Sequence, residues 1–305
     1  MKIREVFMAS TVYFSKNITP EQVVELYGKL GISLPGKVAV KVHSGEKGNH
    51  NFLRPEFWKP MVEAVNGTIV ECNTAYGDFF QNGVRDYTEE HWKLIAYHGW
   101  SKLFNVDLMD AEGPDLEWDI PDGKILHKNY VGKHIVNYDS MLVLAHFKGH
   151  PMGGYGGALK QLSIGCASRA GKSLIHSGGA TNSNLKAWDL HAEQDAFCEA
   201  MADAASTVVR HFAGKIAFVN VMKNLSVDCD CVSTPEDPCM KDIGILASLD
   251  PVALDQACID QIYAAKDDPG QAHFLERVES RHGIHTIEAA AALGYGSRDY
   301  ELIEV

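Results

Sequence analysis

The sequence lacks any run of about 18 uninterrupted apolar residues, which is the length that a membrane-spanning helix needs. Its first ten residues, Met-Lys-Ile-Arg-Glu-Val-Phe-Met-Ala-Ser, contain no long apolar core of the kind found in secretion signals. We therefore expect a cytoplasmic protein that has no membrane partner.

Positively charged residues are also few relative to negatively charged ones. The 305 residues include 28 Lys and Arg against 40 Asp and Glu, which gives a formal net charge of -12. A surface that binds nucleic acid needs clustered Lys and Arg to neutralise phosphates, so we expect no nucleic-acid partner. No low-complexity tract is present and 46% of the residues are hydrophobic, which is typical of an ordinary globular protein.

A disulfide framework is absent as well. The number of cysteines is seven, which is odd, and they are scattered along the chain. This pattern does not fit a small secreted protein, whose cysteines pair at regular spacings. It favours reduced thiols, some of them bound to metal.

Strand and helix patterns alternate along the chain. Short apolar runs predict strands at 2–9, 37–43, 68–72, 139–145, 215–221 and 243–247. Helical spacing predicts helices that open at Thr19 and at 54–65, 88–98, 187–211, 251–265 and 286–293. This order predicts an α/β fold with mostly parallel sheets and helices on both faces. We expect one domain over 1–305 made of two packed lobes, 1–140 and 141–305.

A glycine-rich segment follows the strand at 139–145, where an α/β sheet usually places its ligand. Glycines let backbone N–H groups approach an anion closely, and basic side chains crowd the same segment. The segment therefore predicts a pocket for a small anionic ligand or cofactor. The candidate binding residues are Lys148, Gly153, Gly154, Gly156, Gly157, Arg169 and Lys172, together with His43 and Asn73 at the ends of two other strands.

His150 and Lys160 are the candidate catalytic residues. A histidine exchanges a proton near neutral pH, since its unperturbed pKa is about 6.5. A lysine in a partly desolvated pocket clamps an anion or anchors a cofactor covalently. Both roles require the two side chains to lie in one cleft.

Cysteines at positions 229, 231 and 239 form a second constellation. Thiolates bind zinc or iron-sulfur clusters, which usually need four ligands. A fourth ligand would come from Cys166 or from a histidine such as His176, and free thiols are the alternative. The candidate metal ligands are thus His176, Cys229, Cys231, Cys239 and Cys166.

The glycine-rich segment resembles the signature of domain of unknown function 362, a family of uncharacterised iron-sulfur-centre proteins. The likeness lies in Lys148-Gly-His150 through Gly156-Gly157-Ala-Leu-Lys160 and in the segments 165–172, 228–231, 242–248, 250–257 and 293–297. It implies an iron-sulfur cluster or another transition metal as cofactor. Many members carry a ferredoxin-like insertion after the position of His176, whereas residues 177–196 of this chain contain no cysteine.

The spacing of His150, Lys160 and His176 is also similar to the catalytic segment of nickel-dependent lactate racemases. That similarity implies that His150 exchanges the substrate proton, Lys160 anchors a nickel-type cofactor and His176 ligates nickel. Leu159 stands where those enzymes usually have arginine.

Three functions remain open from the sequence. The first is a metal- or cofactor-dependent enzyme, either an oxidoreductase or a proton-transfer enzyme of the racemase kind, that acts on a small anionic substrate. The second is a non-catalytic iron-sulfur or electron-transfer protein with a redox partner protein. The third is a module that binds a nucleotide or flavin, and assembly as a homo-oligomer is open for all three.

Overall fold

The computed structural model describes residues 9–75, 83–113 and 115–305. The strand predicted at 2–9 lies almost entirely outside these residues. The strands are β1 (Ser10–Ser15), β2 (Val38–Lys41), β3 (Thr68–Glu71), β4 (Val106–Leu108), β5 (Leu116–Asp119), β6 (Lys128–Val131), β7 (Ser140–His146), β8 (Lys148–His150), β9 (Gly154–Gly156), β10 (Ile216–Met222), β11 (Gly244–Ser248) and β12 (Tyr300–Glu304). The helices are α1 (Pro20–Lys29), α2 (Pro55–Ala64), α3 (Thr88–Tyr97), α4 (Trp100–Leu103), α5 (Ala158–Leu162), α6 (Arg169–His176), α7 (Gln194–His211), α8 (Pro251–Ala264), α9 (Gln271–Ser280) and α10 (Gly283–Ala292).

Eight of these strands form one sheet in the order β12-β1-β11-β10-β7-β2-β3-β4. Within it β11 runs antiparallel to both of its neighbours, and the other pairings are parallel. The α/β class and the mostly parallel sheet are therefore confirmed. Strands from both sides of residue 140 share this sheet, because β7 pairs with β2 and β1 pairs with β11.

Helices cover both faces of the sheet. Side chains alternate along β7, so that Met141 and Val143 belong to the apolar core on one face and Leu142 and Leu144 to the core on the other. The first face packs against α5, α7, α8 and α10, and the second packs against α1 and α2. A central strand buried on both sides must read as a continuous apolar run, which explains why β7 was readable from the sequence.

Two of the predicted helix starts, those of α1 and α8, rest on side-chain caps. Thr19 Oγ1 accepts the backbone N–H of Gln22 at 3.2 Å, and Pro20 occupies the first turn of α1. Asp250 Oδ1 accepts the N–H groups of Val252 and Ala253, at 2.8 and 3.0 Å, and so caps α8. Among the described residues no helix is both long and apolar enough to span a bilayer.

The helix predicted at 187–211 begins only at Gln194. Residues 187–190 form turns and a bend and residues 191–193 are irregular, and the Trp188 ring lies 5.1 Å from the His176 ring, measured between centroids. The prediction was therefore wrong for these seven residues, because a tertiary contact overrides the local helical pattern. The short elements β8, β9, α5 and α6 were not predicted, since glycine interrupts any periodic signal in that segment.

Candidate active site

A cavity of about 480 Å³ opens beside the carboxyl ends of β2, β3 and β7. Parallel strands bring their carboxyl ends to one edge, which is where the sequence predicts a site. Six of the sixteen sequence-predicted site residues line this cavity. The lining includes Lys41, His43, Glu71, Thr74, Arg85, His150, Lys160, Lys172, His176, Trp188 and Cys231.

His150 lies at the end of β8 with its ring fixed by the backbone that follows it. Its Nδ1 accepts the N–H groups of Met152 and Gly153, at 3.2 and 2.8 Å. A neutral imidazole carries one proton, so that proton sits on Nε2, which is 4.0 Å from the Cys231 sulfur. Burial, followed by the positive charge of Lys160, lowers the pKa of His150 to about 4. At neutral pH the ring is therefore neutral and presents an Nε2–H donor.

Cys229 lies directly against Lys160. The Lys160 Nζ donates to Cys229 Sγ at 2.8 Å, and the Cys231 backbone N–H donates to the same sulfur at 3.4 Å. Burial on its own would raise the pKa of Cys229, but the hydrogen bond from Cys231 and the charge of Lys160 hold it well below its ordinary value. The pKa of Cys231 is raised well above its ordinary value, chiefly by its hydrogen bond to Cys229. Two donors thus face the Cys229 sulfur, and Cys229 is the more acidic thiol of the pair.

The ligand atoms of His150, Cys229 and Cys231 lie within 4.8 Å of one another, which is close enough for one metal ion. Two sulfurs suit a transition metal such as zinc or nickel. The imidazole fits less well, because a ligating nitrogen must be unprotonated and the other nitrogen normally donates a hydrogen bond. Here Nδ1 accepts two hydrogen bonds instead. The geometry therefore matches two sulfur ligands beside a hydrogen-bond donor.

The other proposed sulfur ligands lie apart from this group. Cys239 Sγ donates to the Leu225 carbonyl at 3.4 Å, and the buried Cys166 accepts the Cys72 thiol through its carbonyl at 3.5 Å. Among the described residues the structure brings together two of the four proposed cysteines. This is fewer than the four thiolates that hold most iron-sulfur clusters.

The loop between the two cysteines is held by a buried ion pair. Asp230 Oδ2 lies 2.9 Å from Lys148 Nζ, and its Oδ1 lies 2.9 Å from His146 Nδ1. Burial would raise the pKa of Asp230, but His146 and Lys148 hold it well below its ordinary value. Lys148, predicted to bind a ligand, therefore positions the cysteine loop from behind.

His176 and Lys172 lie one turn apart on α6 and both line the cavity. The His176 ring stacks on Phe197, with centroids 4.9 Å apart and planes 15° apart, and its Nδ1 has no hydrogen-bond partner in the described residues. Burial, followed by the charge of His150, lowers the pKa of His176 to about 3. His176 does not join the group formed by His150 and the cysteines.

The glycine-rich segment packs around a carboxylate of the protein itself. Asp255, buried on α8, accepts the N–H groups of Ala158 and Leu159 at the start of α5, at 2.8 and 3.0 Å. A Cβ on Gly157 would lie 2.4 Å from Asp255 Oδ1. Asp255, which is 97 residues from Ala158 and 96 from Leu159, thus uses the two backbone donors that directly follow the predicted glycines.

Three predicted binding residues lie around the rim or behind it. His43 lines the cavity, and Arg85 Nη2 lies 3.3 Å from its Nε2. Burial, and after it the positive charge of Arg85, lowers the pKa of His43 to about 4. Asn73 Nδ2 donates to Thr88 at 2.9 Å, so it supports α3. Arg169 pairs with Asp86 at 3.5 Å, and neither it nor Asn73 lines the cavity.

A buried charge network forms the floor of the cavity and was missed from the sequence. Lys41 Nζ lies 2.6 Å from Glu71 Oε2, and Arg85 pairs with Glu46 at 3.1 Å and with Glu71 at 3.7 Å. Lys41 and Glu71 sit inside strands that read as buried. A charged residue within a central strand was the available signal, because such a residue is rarely buried without a partner.

Comparisons with known proteins bear on the family. The search of curated proteins gave no match. Among solved structures, the lactate racemase apoprotein from Thermoanaerobacterium thermosaccharolyticum is similar, with a TM-score of 0.41 and 12% identity; the match covers 68% of this chain and 50% of that chain. A protein from Thermotoga maritima is also similar, with a TM-score of 0.43 and 11% identity; the match covers 90% of this chain and 58% of that chain. The chain thus spans 50% and 58% of their lengths. The profile described as Domain of unknown function (DUF362) matches residues 38–260, so the chain belongs to that family.

Proposed function

We propose that this protein is a metal-dependent proton-transfer enzyme of the isomerase or racemase kind, which acts on a small anionic substrate in the cavity. The observation that carries the proposal is the fixed ring of His150, which holds a neutral Nε2–H donor beside Lys160 and the Cys229 thiolate. The spacing of His150, Lys160 and His176, similar to that of lactate racemases, supports the same reaction class.

Each residue has one role in this proposal. His150 donates a hydrogen bond through Nε2 to negative charge that develops on the substrate, as a neutral imidazole does in other proton-transfer enzymes. Lys160 keeps Cys229 ionised and stabilises the same developing charge. Cys229 and Cys231 hold a transition-metal ion, which supplies Lewis-acid chemistry when bound. His43, a second neutral imidazole in the cavity wall, accepts the proton that leaves the substrate.

Metal analysis tests the sulfur ligands. Protein purified from medium that contains zinc and nickel should carry about one metal ion per chain by elemental mass spectrometry, and Cys229→Ser or Cys231→Ser should reduce that to near zero. Cys239→Ser is the matched control and should keep the metal, because its thiol bonds only to a backbone carbonyl. Equal loss in Cys239→Ser, or full metal in Cys229→Ser, would contradict the assignment.

His150→Gln separates a hydrogen-bond donor from a metal ligand. The variant should keep the metal content of the wild type, whereas loss equal to that of Cys229→Ser would make His150 a ligand. Catalysis is tested by incubating metal-loaded protein in D₂O with a panel of small 2-hydroxy and 2-amino carboxylates. NMR should show deuterium entering next to the carboxylate of at least one, and His150→Gln or Lys160→Gln should slow this by about 100-fold or more. The absence of exchange across the panel with metal-loaded wild type would refute the reaction class.

A further inference from the structure

A second group of polar side chains lines the same cavity outside the cysteine group. Lys172 and His176 lie four residues apart on α6, which places them on one face of the helix, and Thr74 follows β3. The Lys172, His176 and Thr74 side chains are 5%, 7% and 4% exposed. Buried polar groups that face a cavity are normally satisfied by hydrogen bonds.

Lys172 differs from the other buried cations near the cavity. Its Nζ donates to the Ala167 carbonyl at 2.6 Å, and in the part of the chain that the structure describes no carboxylate lies within ion-pair distance of it. The nearby Asp110 carboxylate instead accepts the backbone N–H groups of Asn73 and Arg169, at 2.8 and 3.1 Å. The other buried cations have a partner: Lys41 pairs with Glu71, Arg85 with Glu46 and Lys148 with Asp230, and Lys160 donates to the sulfur of Cys229.

His176 and Thr74, which line the same cavity as Lys172, supply unused hydrogen-bonding atoms. His176 Nδ1 and Thr74 Oγ1 are both buried and have no partner among the described residues. The Thr74 hydroxyl carries no charge, and His176 is neutral at physiological pH because burial lowers its pKa to about 3. The group therefore combines one unmatched positive charge with two neutral polar atoms. A buried charge and two unpaired polar atoms are costly to fold unless a ligand completes them.

We propose that Lys172, His176 and Thr74 bind the carboxylate of a monoanionic substrate whose apolar remainder lies against Met152 and Trp188. One carboxylate neutralises the single unmatched charge and offers two oxygens to three groups. A phosphate dianion would leave a buried negative charge without a partner, which is strongly unfavourable. The cavity volume of about 480 Å³ suits a small metabolite. The inference deepens the proposed function, because it names the class of substrate at that site.

Ligand binding to metal-free protein tests this carboxylate site. Sodium propionate, propionamide and inorganic phosphate are titrated by isothermal calorimetry. The carboxylate should bind at least about tenfold more tightly than its neutral amide isostere, because a charge-assisted bond is about twice as strong as a neutral one. It should also bind more tightly than phosphate. Equal affinity for propionate and propionamide, or tighter binding of phosphate, would overturn the proposal.

Variants assign the effect to the three residues. Lys172→Met should reduce propionate affinity at least about tenfold and Thr74→Val about threefold to tenfold, whereas the exposed control Lys102→Met should bind as the wild type does. Lys172→Met should also unfold at the same or a higher temperature, since it removes an unmatched buried charge. If Lys172→Met bound propionate as tightly as the wild type and unfolded at a lower temperature, Lys172 would only cap the Ala167 carbonyl. Cys229→Ser should bind propionate normally, so failure of the metal proposal is distinguishable from failure of this one.

Discussion

Asp255→Asn is the most informative single substitution in the fold, because Asp255 joins the sheet, α8 and the start of α5. Its Oδ1 accepts Ala158 N–H at 2.8 Å and Asn220 Nδ2 at 2.7 Å, and its Oδ2 accepts Leu159 N–H at 3.0 Å. It also accepts the Tyr155 hydroxyl at 3.1 Å. In both its protonated and its ionised form the carboxyl has two oxygens with free lone pairs, whereas an amide has one, so at least one buried backbone donor loses its partner. That should lower the free energy of unfolding by about 2–4 kcal/mol at pH 4.5.

The size of this loss should depend on pH. Burial raises the pKa of Asp255 from 3.8 to about 6, and the four hydrogen bonds oppose that rise only in part. A carboxyl whose pKa is higher in the folded state stabilises the fold most at low pH, and this contribution disappears as pH rises through 6. Between pH 4.5 and 8 the ionisation of this one group should lower the free energy of unfolding of the wild type by about 2 kcal/mol. An asparagine does not ionise, so the variant should show no such decrease. The gap between wild type and Asp255→Asn should therefore narrow by about 2 kcal/mol.

Urea unfolding followed by tryptophan fluorescence at pH 4.5, 6 and 8 measures this gap. The exposed Asp267 provides the matched control, and Asp267→Asn should track the wild type at each pH. A gap that stays constant would show that Asp255 has no raised pKa. A gap that widens with pH would show that the hydrogen bonds outweigh burial and hold its pKa below the ordinary value. Either result would refute the reasoning.

Three further predictions concern stability and are measured by the same urea unfolding. Gly154→Ala should lower the free energy of unfolding by about 2 kcal/mol or more, since Gly154 has φ +77° and a Cβ there would lie 2.9 Å from the Val278 carbonyl; a change below about 0.5 kcal/mol would contradict this. Asp230→Asn should lower the free energy of unfolding by about 3 kcal/mol, because Lys148 is left buried without its carboxylate. Recovery of that stability in the double variant with Lys148→Met would confirm the cause. Thr19→Ala should cost about 1 kcal/mol through loss of the α1 cap, and Thr19→Ser should restore most of it.

Much of the fold was predictable because the sheet is central and doubly covered. Strands such as β7 and β10 are buried on both faces, so their apolar continuity is visible without tertiary knowledge. The starts of α1 and α8 were predictable because a capping residue, Thr19 or Asp250, directly precedes a proline. The β8–β9 hairpin and the short helix α5 were not predictable, because they are held by contacts with α8, α9 and α10 far along the chain.

The position of the site was predictable, but the roles of its residues were not. Parallel strands bring their carboxyl ends together, so residues 43, 73 and 146–150 had to meet at one edge. The sequence does not show that Asp255 fills the glycine-rich turn, because that partner lies about one hundred residues away. Nor does it show that Lys172 has no carboxylate within ion-pair distance in the part of the chain that the structure describes, since this depends on how the other buried charges of the wall are paired.

One role can be traced back to the local sequence once the structure is known. His150 is followed by Pro151, which has no N–H, and then by Met152 and Gly153, whose N–H groups both reach Nδ1. The run His-Pro-Met-Gly therefore leaves Nε2 as the nitrogen that carries the proton. Because a histidine cannot ligate a metal through a protonated nitrogen, these four residues alone favour a hydrogen-bond donor over a metal ligand. In the proposed function it is the cysteines, which have no such restraint on sulfur, that would hold the ion.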